Sequence, residues 1–161
     1  MEIKTYVAGP FMTNTYLIIN DKKGIIVDPT IGLEKYIDDI SLENKVSKDT
    51  PESHCHIDHI ASAHLFDAPI YMSKIDAINI KDNRINLSNT FGIPFIFPSN
   101  NIIGLDDEVL SLNNLKIECI LTPGHTSGGM CFLINDSLFS GDTLFQVGIG
   151  RTDFPTGNMN D

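Results

Sequence analysis

The chain has 161 residues, 42% hydrophobic and 20% charged, a size and balance that fit one globular domain spanning residues 1–161 with a core of its own. Its formal net charge of −10 argues against a broad electrostatic grip on nucleic acid or anionic lipid, since both depend on clustered Lys and Arg. The first twenty residues lack the pattern of a secretory leader and no apolar run approaches the ~18–20 residues of a membrane span, so a cytoplasmic protein with no membrane and no nucleic-acid partner is expected.

In chain order, the alternation of Ile3, Thr5 and Val7 predicts a first strand. The segments TNTYLII and GIIVD, joined by NDKKG, predict a hairpin whose last strand ends at Asp28-Pro29. Leu33, Tyr36, Ile37 and Ile40 fall at helical spacing in GLEKYIDDI (32–40). The next stretch, NKVSKDTPES (44–53), is predicted not to form a central strand, because Pro51 removes a backbone donor and KDTPES has nothing to bury. A helix over 57–66, a short strand over 69–72 and a helix from Lys74 to about Thr90 follow. Then come strands at 108–112 and 115–121, and a hairpin around Asn135-Asp136. Strands, helices and strands in that order predict a layered α/β protein.

Three cysteines, Cys55, Cys119 and Cys131, fit neither a disulfide framework nor a zinc ribbon and are expected to be reduced. Three of the five histidines, in contrast, crowd into SHCHIDHI (53–60). In an extended segment, side chains at i and i+2 share a face, so His54 and His56 reach one ion while Cys55 points away as a spacer. Asp58 and His59 fall where the chain bends into a helix, offering an oxygen and a nitrogen from the other side. Two further candidates sit in sharp loops after strands: His125 in TPGHTSGG (122–129) and Asp142 in FSGDTLF (139–145). Imidazole and carboxylate are ligands that zinc and non-haem iron accept. A polar surface turn carrying these histidines by chance is the bland alternative, disfavoured by the two downstream candidates.

HCHIDH followed by TPGHTSGG, FSGDTLF and GIGRTDFPTGN resembles, in order, the motifs of the metallo-β-lactamase fold superfamily, and the last segment resembles its small hydroxyacylglutathione hydrolase (glyoxalase II) branch. The resemblance spans the chain. It implies an αββα sandwich with a metal cleft where two sheets meet. His54, His56 and His125 would hold one zinc ion, Asp58 and His59 a second, and Asp142 would bridge them, with iron as the alternative metal. It further implies hydrolysis of a small thioester by hydroxide generated at the metal, Asp58 orienting the nucleophile and handling its proton.

Members of that branch continue for a few dozen residues to a PGHG-like loop carrying the last ligand of the second metal. None of the five histidines here serves, since His64 is expected to be an ordinary helix residue pointing elsewhere. The expectation is therefore a shortened member with a nearly complete first site, a deficient second site and apolar surface left uncovered. Two other readings stand beside the hydrolase. A persulfide dioxygenase needs one iron, which His54, His125 and Asp142 could hold. An inactive metal-binding relative would need no catalysis at all. Arg151 and Asp153 are expected to brace their own loop rather than clamp substrate. Asp106, Asp107 and Glu108 are read as a solvated turn, and Phe145 and Phe154 as either cleft lining or core.

Overall fold

In the computed structural model, which describes residues 1–21, 23–36, 38, 40, 45–46, 49–95 and 101–161, two β-sheets face each other. The first begins with β1 (Glu2–Ala8), β2 (Thr13–Asn20) and β3 (Lys23–Val27), all antiparallel, followed by β4 (Lys45–Val46) parallel to β3. A parallel run of β5 (Thr50–Pro51), β6 (Ile70–Ser73) and β7 (Ile102–Leu105) continues it, because the amides of Ile26 and Asp28 donate to the carbonyls of Asp49 and Pro51. The second sheet is an antiparallel meander in the order β11-β10-β9-β8. Its strands are β8 (Glu108–Leu112), β9 (Leu115–Leu121), β10 (Met130–Ile134) and β11 (Ser137–Phe139).

The inner faces bury one apolar layer: Ile18, Ile25 and Val27 from the first sheet meet Ile117, Cys119, Phe132 and Ile134 from the second. On the outer face of the first sheet, Leu17 and Ile26 are covered by Leu33, Ile40 and Phe66, and Ile70 and Met72 by Cys55, Ile60 and Ile80. The covering segments are short: α1 (Ile57–Ile60), α2 (Asp76–Asn79), α3 (Ser88–Phe91) and single 3-10 turns at Leu33–Tyr36 and Ala63–Leu65. No helix among the described residues is long and apolar enough to cross a membrane.

Three expectations need correction. Pro51 lies inside a strand between β3 and β6. The amides of Thr50 and Glu52 donate to Pro69 and Tyr71 on one side, and the Pro51 carbonyl accepts from Asp28 on the other. Proline forfeits only the donor that its own position would aim at β3, so the strand loses one bond and keeps the rest. Helix 57–66 breaks after Ile60 into a separate turn. The long helix expected from Lys74 to Thr90 also breaks, since Asn86 donates through Nδ2 to the Ile80 carbonyl and accepts the Ser88 amide through Oδ1, and Leu87 takes a φ of 65°. Such side chains offer the backbone an alternative to the helical ladder. Ile75 and Ile78, at helical spacing, are consequently exposed while Ile80 is buried. Ile37 and part of 44–53 lie outside the described residues.

The strands expected at 108–112, 115–121 and around Asn135-Asp136 form, whereas β4 and β7 are not among the expected elements. Along β9, Leu115, Ile117 and Cys119 are buried and Lys116 and Glu118 exposed, and the β10–β11 turn uses Asn135 at a φ of 53°. In β1, Ile3 pairs with Ile18 yet stays 38% exposed, because β1 is the outermost strand of its sheet.

Candidate metal centre

Four loops at one end of the sandwich converge: the end of β3 at Asp28, residues 53–59 after β5, 122–129 after β9 and 140–142 after β11. Contact between the two sheets is close here. The Met130 amide donates to the Ser53 carbonyl at 2.9 Å, and Gly141, at a φ of 48°, lies so near Ser53 that an added Cβ would fall 2.2 Å from its Oγ. Only glycine meets both demands.

The histidines are oriented by their other ring nitrogens. His59 Nδ1 lies 3.0 Å from Asp28 Oδ2, and Ser53 Oγ donates to the same oxygen at 2.7 Å. The Ser53 hydroxyl is thereby left to accept from His54 Nδ1, 3.0 Å away. His125 Nδ1 lies 2.6 Å from the Arg151 carbonyl, which can only accept. Each Nδ1 therefore carries a proton, which leaves Nε2 of each ring as the atom turned to the cleft and able to coordinate once it is free of a proton of its own. His56 is turned the other way, its Nδ1 2.9 Å from His125 Nε2.

Two ligand-like groups result. His54, His56 and His125 each offer a ring nitrogen, all within 4.8 Å of one another, and His54, His59 and Asp142 form a second such group. Asp142 stands between the two, with Oδ1 3.3 Å from His59 Nε2 and Oδ2 3.4 Å from His125 Nε2. Asp58 flanks the second group, Oδ2 3.5 Å from His59 Nε2 and hydrogen-bonded by the Thr13 hydroxyl at 2.9 Å. All six residues expected from the sequence therefore face one cleft. No fifth histidine joins them among the described residues: His64 bonds the Ala61 carbonyl through Nδ1 at 2.8 Å, away from the site.

The donor set suits a cation. The Nε2 of His54 is buried without a hydrogen-bond partner, which is costly unless a cation takes its lone pair. Burial, and then the neighbouring imidazoles, push the His54 ring well below its usual value and His56 down to about 3, so both are neutral ligands. Burial alone would also lower His59, but Asp28 and Asp58, with hydrogen bonds to Asp142 and Asp28, hold it well above its usual value. Asp142 is raised by burial and then brought below its usual value by its hydrogen bond to His59 and the fields of His59, His125 and His56. Three carboxylates thus surround one imidazole, an excess of negative charge that a divalent ion would balance.

Sequence reasoning missed the residues behind the ligands. Asp28 holds a φ of 52°, a left-handed conformation that Asp tolerates better than most residues, and its carboxylate takes the Ser53 amide as well as the Ser53 hydroxyl and His59. Its position directly after an apolar strand was the only available signal. Asp76, fully buried, accepts from the Cys55 amide and the Thr126 hydroxyl through one oxygen, tying the first histidine loop to the His125 loop. Glu52 is also fully buried, with neither carboxyl oxygen hydrogen-bonded; burial, and then Asp28, push its carboxyl far up, so it is a neutral acid in the core.

Cys55 lies in the apolar cluster with Ile60 and Met72, as a spacer would. Arg151 pairs with Asp153 through two hydrogen bonds of 2.7 and 2.6 Å within one exposed loop, and Phe154 and Phe145 both line the cleft.

The chain matches the family model of the metallo-beta-lactamase superfamily over residues 8–161. It is 36% identical to the probable polyketide biosynthesis zinc-dependent hydrolase PksB of Bacillus subtilis, over 92% of this chain and 62% of that one. It is 32% identical to the hydroxyacylglutathione hydrolase GloC of Haemophilus influenzae, over 98% of this chain and 79% of that one. Among solved structures, the BLEG-1 B3 metallo-beta-lactamase superposes with a TM-score of 0.88 at 29% identity, covering 99% of this chain and 80% of that one. The chain thus spans under two thirds of the length of PksB.

Proposed function

The chain belongs to the metallo-β-lactamase superfamily and to its metallo-hydrolases, and from that premise we propose that it hydrolyses a small thioester at a metal centre held by His54, His56, His125, Asp58, His59 and Asp142. The observation that carries this reading is the convergence of ring nitrogens from four histidines, that of His54 buried without a partner, beside three carboxylates. A divalent cation bound there supplies Lewis acidity to a carbonyl and acidifies water near neutral pH. Zinc is the ion favoured by the imidazole and carboxylate donor set.

The chain's own residues supply the rest. Asp58, fixed by the Thr13 hydroxyl, presents a carboxylate at the cleft that can orient a water and take its proton. Asp28 and Ser53 keep the protons of His59 and His54 on Nδ1, so both rings remain able to coordinate. A thioester suits a cleft whose carboxylates accept protons, because a thiolate departs without a strong general acid. The similarity to a hydroxyacylglutathione hydrolase supports the same class.

The test is thiol release from S-lactoylglutathione and from S-acetyl-N-acetylcysteamine by zinc-loaded protein. Turnover should require zinc and fall at least a hundredfold in His125→Ala. Oxygen uptake with glutathione persulfide by iron-loaded protein, without thiol release by the zinc form, would replace this reading with a dioxygenase.

A further inference from the structure

One wall of the cleft has no part in holding metal. Phe11 and Met12, from the loop between β1 and β2, Phe91 at the end of α3, and Leu144 and Phe145 after β11 line the same cavity of about 720 Å³ as Asp58, His59 and Asp142. None of the five is a core residue: their exposures run from 37% for Phe91 to 69% for Met12. The rings of Phe11 and Phe91 nevertheless meet with centroids 4.6 Å apart, joining two distant segments into one apolar surface. Large apolar side chains exposed on three separate segments around one ligand-sized cavity are what a binding groove presents.

The charge of the cleft points the same way. Arg151 is the one Lys or Arg among the lining residues, and Asp153 already holds its guanidinium in a fork while the Phe154 ring covers it at 4.2 Å. A thiol carrying two carboxylates, as glutathione does, finds no free cation among these residues. An apolar chain finds a wall.

Resting on the thioester reading above, we infer that this cleft is an acyl-chain site, taking thioesters whose acyl part is an apolar chain of several carbons in preference to hydroxyacylglutathione. With zinc-loaded protein, kcat/KM for acetyl, butanoyl, hexanoyl and octanoyl thioesters of N-acetylcysteamine should rise about two- to fourfold per methylene, the scale of burying one CH₂. Phe91→Ser and Met12→Ser, at exposed positions, should flatten that rise.

A second readout needs neither metal nor turnover. The fluorescence of dansylundecanoate bound to zinc-free protein should fall when octanoyl-N-acetylcysteamine is added, and fall much less with the acetyl compound or S-lactoylglutathione. Rates flat in chain length, or a preference for lactoylglutathione, overturn the acyl-chain site and leave the hydrolase intact. If no thioester is cleaved, the hydrolase reading fails. The probe then decides by itself: displacement graded by chain length supports the site, and ungraded or absent displacement overturns it.

Discussion

Asp28 Oδ2 accepts the Nδ1–H of His59 at 3.0 Å, and through the Ser53 hydroxyl the same oxygen governs His54. One carboxylate, 25 residues before Ser53 and outside the histidine motif, thereby sets the tautomer of two rings that belong to different ligand groups. Asp28→Asn should lower zinc affinity about 10- to 100-fold, the usual cost of losing such a partner. Competition with a chromophoric chelator measures it, and an unchanged far-UV spectrum would show that the fold is retained.

Zinc should stabilise the folded chain. At free zinc a hundredfold above the dissociation constant the gain is about 2.7 kcal/mol, which for a chain of this size is a rise in Tm of roughly 5–10 °C. His54→Ala and His125→Ala should lose most of that rise. A melting temperature indifferent to chelator in the unmutated protein would remove the metal centre from the account.

Asp58→Asn keeps the size and the Thr13 contact but removes the negative charge. Turnover should drop by about 10²- to 10⁴-fold, the range for a positioned proton acceptor. One zinc ion should still be retained by the His54, His56 and His125 group, which Asp58 does not join. Stoichiometry by elemental analysis beside kcat separates the two roles.

Asp76 should matter to stability more than to chemistry. Asp76→Ala leaves the buried Cys55 amide and Thr126 hydroxyl without their acceptor, at a cost of roughly 2–4 kcal/mol in urea unfolding. Asp76→Asn, which keeps an acceptor oxygen, should recover part of it.

Glu52 gives the opposite sign. Glu52→Met replaces an unpartnered buried acid by a side chain of similar length, and should stabilise by about 1–2 kcal/mol. The folded chain keeps the Glu52 proton while the unfolded chain releases it near the ordinary value of 4.5, so the unfolded state binds fewer protons above that pH. Stability from this residue therefore falls as pH rises above about 4.5, and the substitution should flatten that part of the urea-midpoint profile.

Much of the fold and of the site is written locally. A two-residue alternation fixes which side chains of β9 face the other sheet, Asn135-Asp136 turns its hairpin, and the spacing of His54 and His56 sends both to one side of an extended segment. These depend on backbone periodicity alone, so the sequence suffices. Residues 50–51 form a strand despite Pro51 because β3 and β6 supply partners on both sides, and 74–90 fails as one helix because Asn86 finds backbone groups to bond. The placement of Asp28 behind two histidines, the burial of Glu52 and the meeting of Phe11 with Phe91 likewise depend on what distant segments bring alongside. Chain order encodes each residue's direction, but partners, burial and charge balance exist only once the sheets have packed, and these are what the tertiary structure decided.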